Sequence, residues 1–108
     1  MTESIEAGEI LDLPSEPTLS DGTSGGIEEG AITFEICQDV VDRFVLVDED
    51  EIAEAMRQFI DAHHQLPEGA AGVAIAGFLK VAGDYAGKNV VIVVCGGNIS
   101  RKTLKDVI

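Results

Sequence analysis

Apolar residues recur at helical spacing in several stretches of the 108-residue chain. One stretch predicts a helix near Ala31–Asp42, with its apolar face running from Ile32 to Val41. A second predicted helix follows Asp48, because this carboxylate and that of Glu51 three residues later form a capping-box pattern. Its apolar face continues as far as His63, and we expect the helix to end at the segment Gln65-Leu66-Pro67, since the residue before proline avoids helical geometry.

A third predicted helix, from Gly69 to about Tyr85, is apolar nearly all round, so we expect it to be buried on most sides. Ser100 is a favourable N-cap for a last helix that runs to Ile108. Residues 1–30 show no sustained period and contain five glycines and two prolines, which indicates an ordered loop region rich in glycine and acidic residues. A short helix at Met1–Glu9 is compatible with this pattern.

Two short runs, Phe44–Val47 and Asn89–Val94, are apolar and β-branched, which is typical of buried strands. The predicted order in 31–108 is α-β-α-α-β-α, an α/β arrangement with an open parallel sheet. Parallel strands are covered on both faces and need neighbours, and the sequence offers only these two. We therefore expect residues 31–108 to form a partial α/β segment that is incomplete alone.

The chain carries 20 acidic and seven basic residues, a formal net charge of -13. This balance argues against nucleic acid or an anionic membrane as a partner, since both need a cationic face. No apolar run reaches the ~18 residues of a membrane span, and the acidic N-terminus does not resemble a targeting signal. The two cysteines, Cys37 and Cys95, are too few for a disulfide scaffold, so we expect the protein to be located in the reducing cytoplasm. A halophilic source is a second explanation of the acidity.

Three segments could carry chemistry. The turn Cys95–Asn98 follows a predicted strand at the position where open α/β sheets bind ligands, although a tight turn with a buried, inert thiol is the alternative. The segment Ser20–Gly26 could cradle a phosphate or be an ordinary loop. Glu68 could be a functional carboxylate or only a favourable partner of a helix dipole. His63 and His64 diverge on a helix, so we assign no metal ligand.

Four segments in order resemble the C-terminal part of the serine/threonine dehydratases. They are LSDGTSGG from Leu19, GAITFEIC from Gly30, EGAAG from Glu68 and CGGN from Cys95. These dehydratases are pyridoxal-phosphate enzymes of the tryptophan-synthase-β fold type (fold type II), a family that includes serine racemase. The resemblance covers essentially the whole chain and implies the C-terminal portion of that open parallel-sheet fold.

The resemblance implies a pyridoxal 5'-phosphate site with a role for four residues. Cys95 matches the Ser or Cys that hydrogen-bonds the pyridine nitrogen, and Gly96 follows it in the same turn. Gly30 matches a glycine beside the cofactor and substrate, and Glu68 matches a carboxylate that faces the same pocket. A neutral thiol is a weak donor, so it would leave the ring nitrogen unprotonated. The implied reaction is β-elimination of L-threonine or L-serine to a 2-keto acid and ammonia.

The catalytic residue of the family does not occur in this chain. Its Schiff-base lysine belongs to an N-terminal motif of the Ser-x-Lys type that precedes the matched segments. This chain has neither that motif ahead of Leu19 nor the glycine-rich phosphate loop, and its one Ser-x-Lys, Ser100 to Lys102, lies at the start of the last predicted helix. We therefore expect a C-terminal fragment that is inactive alone. The alternative is a non-catalytic module that associates with a complementary N-terminal fragment or a full-length enzyme, and a homo-oligomer is also compatible. The choice among threonine, serine and related substrates stays open, as does the choice between racemase and dehydratase activity.

Overall fold

The computed structural model describes the whole chain, Met1–Ile108. Its contacts group the residues into two compact units. The first unit comprises Met1–Glu16 and Ser24–Val45, and the second comprises Pro17–Thr23 and Leu46–Ile108. The predicted division of the chain at residue 30 stays a prediction.

The first unit contains two helices, α1 (Thr2–Ala7) and α2 (Ile32–Val40). Helix α1 confirms the short N-terminal helix, and it ends at Gly8, whose φ of 77° is left-handed. Helix α2 confirms the helix predicted near residues 31–42, with shorter bounds. Only Phe34 of α2 is buried, and Ile32 is 71% exposed, so most of the predicted apolar face is uncovered in this chain.

The second unit is built on α3 (Glu49–His63), α4 (Gly69–Val81) and α5 (Arg101–Val107). The predicted capping box at the start of α3 is confirmed. The Asp48 carboxylate accepts the Glu51 N–H at 2.8 Å, and the Glu51 carboxylate accepts the Asp48 N–H at 2.8 Å. A short 3-10 helix, Ala82–Tyr85, continues α4, and none of the helices is long and apolar enough to cross a membrane.

Helices α3 and α4 pack against each other at a point where a glycine removes bulk. A Cβ on Gly72 would lie 2.7 Å from Cγ of Met56, so only the bare backbone allows this approach. Two buried clusters result, with the members Ile52, Met56 and Val107 in one and Ala55, Ile75 and Ala76 in the other. The prediction that α4 is buried on most sides is confirmed, and only Leu79 and Lys80 at its end are exposed.

The structure does not confirm the two predicted strands. Residues 44–47 and 89–94 are extended, but neither forms a strand or a backbone pairing with another segment. Ile92 packs against the cluster that contains Ala55, whereas Val91 on the opposite side is 89% exposed. A strand exists only where a neighbour accepts and donates its backbone hydrogen bonds. This chain therefore shows helices joined by extended segments, and the two strands and the parallel sheet of the predicted order α-β-α-α-β-α are not confirmed and stay predictions.

Candidate functional site

The turn Cys95–Asn98 is held against the start of α4. The Glu68 N–H donates to the Gly96 carbonyl at 3.0 Å, and the Glu68 carboxylate accepts the Asn98 N–H at 3.2 Å. A Cβ on Gly96 would collide with the Glu68 carboxylate, and a Cβ on Gly97 would lie 2.8 Å from the Leu66 carbonyl oxygen. Gly97 is thus required for the turn to pack this closely against the Leu66 backbone, whereas a side chain at position 96 would displace the flexible Glu68 carboxylate.

Cys95 is exposed and takes part in no disulfide. The alternative prediction placed a buried, inert thiol at a tight turn; the thiol is not buried in this chain, and its inertness stays a prediction. The thiol lies at the end of the extended 89–94 segment, one residue before the contact between Gly96 and Glu68. An exposed thiol in this position can donate a weak hydrogen bond to a ligand.

A cavity of about 310 Å³ lies beside this turn, on the Asn98 side. Its lining combines hydroxyl, carboxylate, amide and backbone groups from three places: residues 17–23, the start of α4, and the turn with the start of α5. The lining residues are Thr18, Leu19, Asp21, Glu68, Gly69, Asn98, Ile99, Ser100 and Thr103. We call residues 17–23 the cavity strap. Polar groups thus dominate the lining, and several of them are already hydrogen-bonded within the protein.

The hydroxyl groups of the cavity strap bind each other. The Ser20 side chain is 1% exposed and its Oγ lies 2.6 Å from Oγ1 of Thr23. Thr23 also donates to the Ser20 carbonyl through its N–H at 2.9 Å and its hydroxyl at 3.0 Å. These hydroxyls are occupied in fixing a short 3-10 helix, Asp21–Thr23, which favours the ordinary-loop interpretation over a phosphate cradle for this part of Ser20–Gly26.

Of the four residues that the resemblance implies for the cofactor, Glu68 and Gly96 are in contact and Cys95 is next to them in the chain. Gly30 belongs to the first unit, where its φ of 74° places it in the left-handed region before α2. His63 stacks on Phe59 with ring centroids 4.6 Å apart. The chain holds no group of three His, Cys, Asp or Glu side chains placed to bind a metal.

Sequence reasoning missed Glu49. Its carboxylate accepts the Thr18 hydroxyl at 2.5 Å and the Leu19 N–H at 2.7 Å, and so binds the cavity strap from the first turn of α3. The run Asp48-Glu49-Asp50-Glu51 indicated only a helix start, because a charge run does not tell which carboxylate reaches a distant segment. Ser100 was likewise predicted only as a helix cap, and Thr103, whose hydroxyl lies 2.8 Å from that of Ser100, carried no prediction.

Two carboxylates on α3 have a lowered pKa. The hydrogen bond from Lys80 holds the pKa of Glu51 below its usual range, and the bond from the Asp48 N–H adds to this. Lys80 also donates to the Leu46 carbonyl at 2.9 Å, so it ties the 46–47 segment to α3. The hydrogen bond from Gln58 lowers the pKa of Glu54, and Arg57 contributes next.

Comparison with known proteins identifies relatives of this chain. Residues 1–96 match the family model described as pyridoxal-phosphate dependent enzyme. The chain is 40% identical over 106 residues to an L-threonine ammonia-lyase of Geobacter sulfurreducens, covering 97% of this chain and 26% of the relative. It is 35% identical over 108 residues to an L-threonine ammonia-lyase of Thermotoga maritima, covering 100% of this chain and 26% of the relative.

Two solved structures of serine racemases are also similar to this chain. A maize serine racemase superimposes with a TM-score of 0.81 and 28% identity, covering 96% of this chain and 32% of that protein. A serine racemase from Dictyostelium discoideum gives a TM-score of 0.76 and 30% identity, covering 91% and 31%. The chain therefore spans about a quarter to a third of the length of the relatives it matches.

Proposed function

Because the chain belongs to the pyridoxal-phosphate-dependent enzyme family, we propose that it is the C-terminal, cofactor-side part of an enzyme that eliminates the β-hydroxyl of L-threonine or L-serine. The products of this reaction are a 2-keto acid and ammonia. One observation carries the proposal: the Cys95–Asn98 turn and the Glu68 segment, 28 residues apart in sequence, lie in contact beside a polar cavity. The names of the ammonia-lyase relatives support the reaction class.

Of the four predicted cofactor residues only Glu68 lines the cavity, and the exposed thiol of the turn beside it supports a place for a pyridine ring there. Cys95 is exposed at the end of an extended segment, and the glycine that follows brings the backbone close to Glu68. We propose that the Cys95 thiol donates to the ring nitrogen, with Gly96, Glu68 and Gly30 as the other cofactor-binding residues. When bound, pyridoxal phosphate supplies an electron sink for loss of the substrate α-proton. A neutral thiol next to the nitrogen keeps that sink weaker than a carboxylate would.

We propose that the lysine that holds the cofactor covalently lies outside this chain, since none of the four lysines present occurs in the family's N-terminal motif. Lys80 is bound to Glu51 and to the Leu46 carbonyl, and Lys88 lies 5.8 Å from the centre of the Tyr85 ring. Covalent catalysis needs an amine that is held within reach of the carbonyl and activated. In the proposed enzyme this lysine, the phosphate loop and the groups that bind the substrate carboxylate come from polypeptide outside this sequence.

The proposal is tested by complementation. The Geobacter L-threonine ammonia-lyase, with its matched segment deleted, is co-expressed with this chain, and 2-keto acid and ammonia are measured with L-threonine and L-serine. We expect turnover only when both pieces are present. Cys95→Ser keeps a donor and retains activity, Cys95→Ala lowers it, and Cys37→Ser in the first unit serves as the control. A stable complex that binds pyridoxal phosphate but turns over neither substrate would refute the proposed reaction.

The second candidate function is a non-catalytic subunit that associates with a complementary or full-length pyridoxal-phosphate enzyme. The exposed apolar side chains of the 89–94 segment favour it, since Val91 and Val93 are 89% and 69% exposed. Its signature is a stoichiometric complex in which Cys95→Ala has no effect on the partner's activity. A cytoplasmic location, a homo-oligomer and the absence of nucleic-acid or membrane partners remain predictions.

A further inference from the structure

The cavity strap has little regular backbone pairing of its own. Within residues 17–23, the one backbone hydrogen bond runs from the Thr23 N–H to the Ser20 carbonyl. The Thr18 hydroxyl accepts the Ser20 N–H at 3.1 Å and donates its own proton to Glu49. The start of the strap is therefore ordered by side-chain hydrogen bonds, and the Glu49 carboxylate is their final acceptor.

Glu49 uses both carboxylate oxygens on this strap. Oε1 accepts the Thr18 hydroxyl and Oε2 accepts the Leu19 N–H. Hydrogen bonds to an ionised carboxylate are shorter and stronger than neutral ones, and two of them fix both distance and orientation. The first turn of α3 thus determines where residues 18 and 19 lie.

Leu19 transmits this position to the cavity. Its side chain packs against the buried cluster that contains Ile52 and Met56, and its carbonyl lies where a Cβ on Gly69 would collide with it. Thr18, Leu19 and Gly69 all line the cavity. A shift of Leu19 would therefore move one wall of the cavity and the first residue of α4 together.

We propose that Glu49 is a positioning residue of the candidate site: it fixes the cavity strap as one wall of the cavity through Thr18 and Leu19. It acts through these two residues and does not itself line the cavity. The consequence for cofactor binding rests on the proposed function, whereas the role of Glu49 in ordering the strap does not.

The neighbouring acidic residues supply matched controls. Asp48 and Glu51 form the capping box, and Glu51 also binds Lys80. Asp50 is exposed, lies in the same first turn of α3, and contributes the same charge to the helix dipole without binding the strap. Asp50→Ala therefore reports any general effect of losing a carboxylate at this helix end.

The first test is amide hydrogen exchange in the 108-residue chain, followed by NMR for the Leu19 and Ser20 amides. Loss of two charge-assisted bonds in Glu49→Ala should speed exchange of both amides by about tenfold or more. Glu49→Gln keeps one acceptor oxygen and should fall between wild type and alanine, and Asp50→Ala should leave both amides unchanged. Unchanged protection in Glu49→Ala, or equal acceleration in Asp50→Ala, would overturn the assignment.

The second test uses the complemented enzyme and 4-deoxypyridoxine 5'-phosphate, which has the ring and phosphate but no aldehyde to react with surface lysines. We expect Glu49→Ala to weaken its binding several-fold by calorimetry, Glu49→Gln to restore part of the affinity, and Asp50→Ala to match wild type. If wild type does not bind the probe, the proposed function fails while the exchange result still decides the role of Glu49. A loosened strap with undiminished affinity would contradict a positioning role.

Discussion

Within the second unit, the α3–α4 pair and the extended 89–94 segment both carry large apolar side chains but differ in how these side chains are covered. In the helix pair, Met56 and Ala71 are 0% exposed. In the extended segment, Val91 is 89% exposed and only Ile92 packs on the helices. A helix satisfies its own backbone and needs a neighbour for one face, whereas a central strand needs partners along both edges and a cover on its second face.

The difference shows which interactions are complete within this sequence. The helix pair is joined by a short connection, so both halves of its interface lie close together in the chain. The extended segment offers one side to α3 and α4 and leaves the other side and its backbone unpaired. The relatives, of which this chain spans about a quarter to a third, contain the additional polypeptide that we propose as the source of those partners.

The comparison predicts the largest contrast for truncation of a side chain in each region. Met56→Ala removes a fully buried side chain from the α3–α4 interface and should lower the free energy of unfolding by about 2–5 kcal/mol. Val91→Ala removes an exposed side chain and should change it by less than about 0.5 kcal/mol. Urea denaturation measures both, and comparable losses in the two variants would remove the distinction between the regions.

A second contrast lies within α4 itself. Gly72→Ala would place a Cβ against Met56 and should destabilise the chain by about 1–3 kcal/mol through overpacking. Gly77→Ala meets nothing within 4 Å and should stabilise the helix by up to about 1 kcal/mol. Thermal unfolding of the two variants gives the sign directly. Destabilisation by Gly77→Ala would show that this side of α4 is covered.

A smaller effect is expected at the cap of α3. Asp48→Ala leaves the Glu51 N–H without its acceptor and should cost about 0.5–2 kcal/mol of stability. Asp50→Ala keeps the capping box and should cost less. Circular dichroism during denaturation reports both variants, and an equal loss would mean that the helix start depends on charge alone.

The smallest effect concerns pH. The pKa of Glu51 is lower in the folded chain than its ordinary value, through Lys80 and the Asp48 N–H. A lowered folded-state pKa contributes stability above the unfolded value, and this contribution disappears as pH falls through the folded one. Because the group is exposed, we expect a shallow decline of the melting temperature below the ordinary glutamate range, reduced in Glu51→Gln. The control is Lys80→Gln, which should reduce the same slope, and an unchanged slope in both variants would contradict the assignment.

The helices could be predicted because the residues that start each helix lie within a few positions of it in the sequence. The capping pair Asp48 and Glu51 marked the start of α3, and Ser100 marked the start of α5. The strands were not confirmed, because pairing depends on segments distant in sequence. The family resemblance alone implied that Glu68 and Gly96 belong to one pocket, and their direct contact was not predicted. The role of Glu49 was missed because its partners lie 30 and 31 residues away.

The most direct test of the central claim is hydrogen exchange at the Val91 and Val93 amides, in the chain alone and in the complemented enzyme. The claim is that the 89–94 segment is an unpaired strand of a pyridoxal-phosphate fold, completed by polypeptide outside this sequence. We expect fast exchange in the chain alone and strong protection in the active complex. Protection already present in the chain alone, or fast exchange that persists in an active complex, would contradict it.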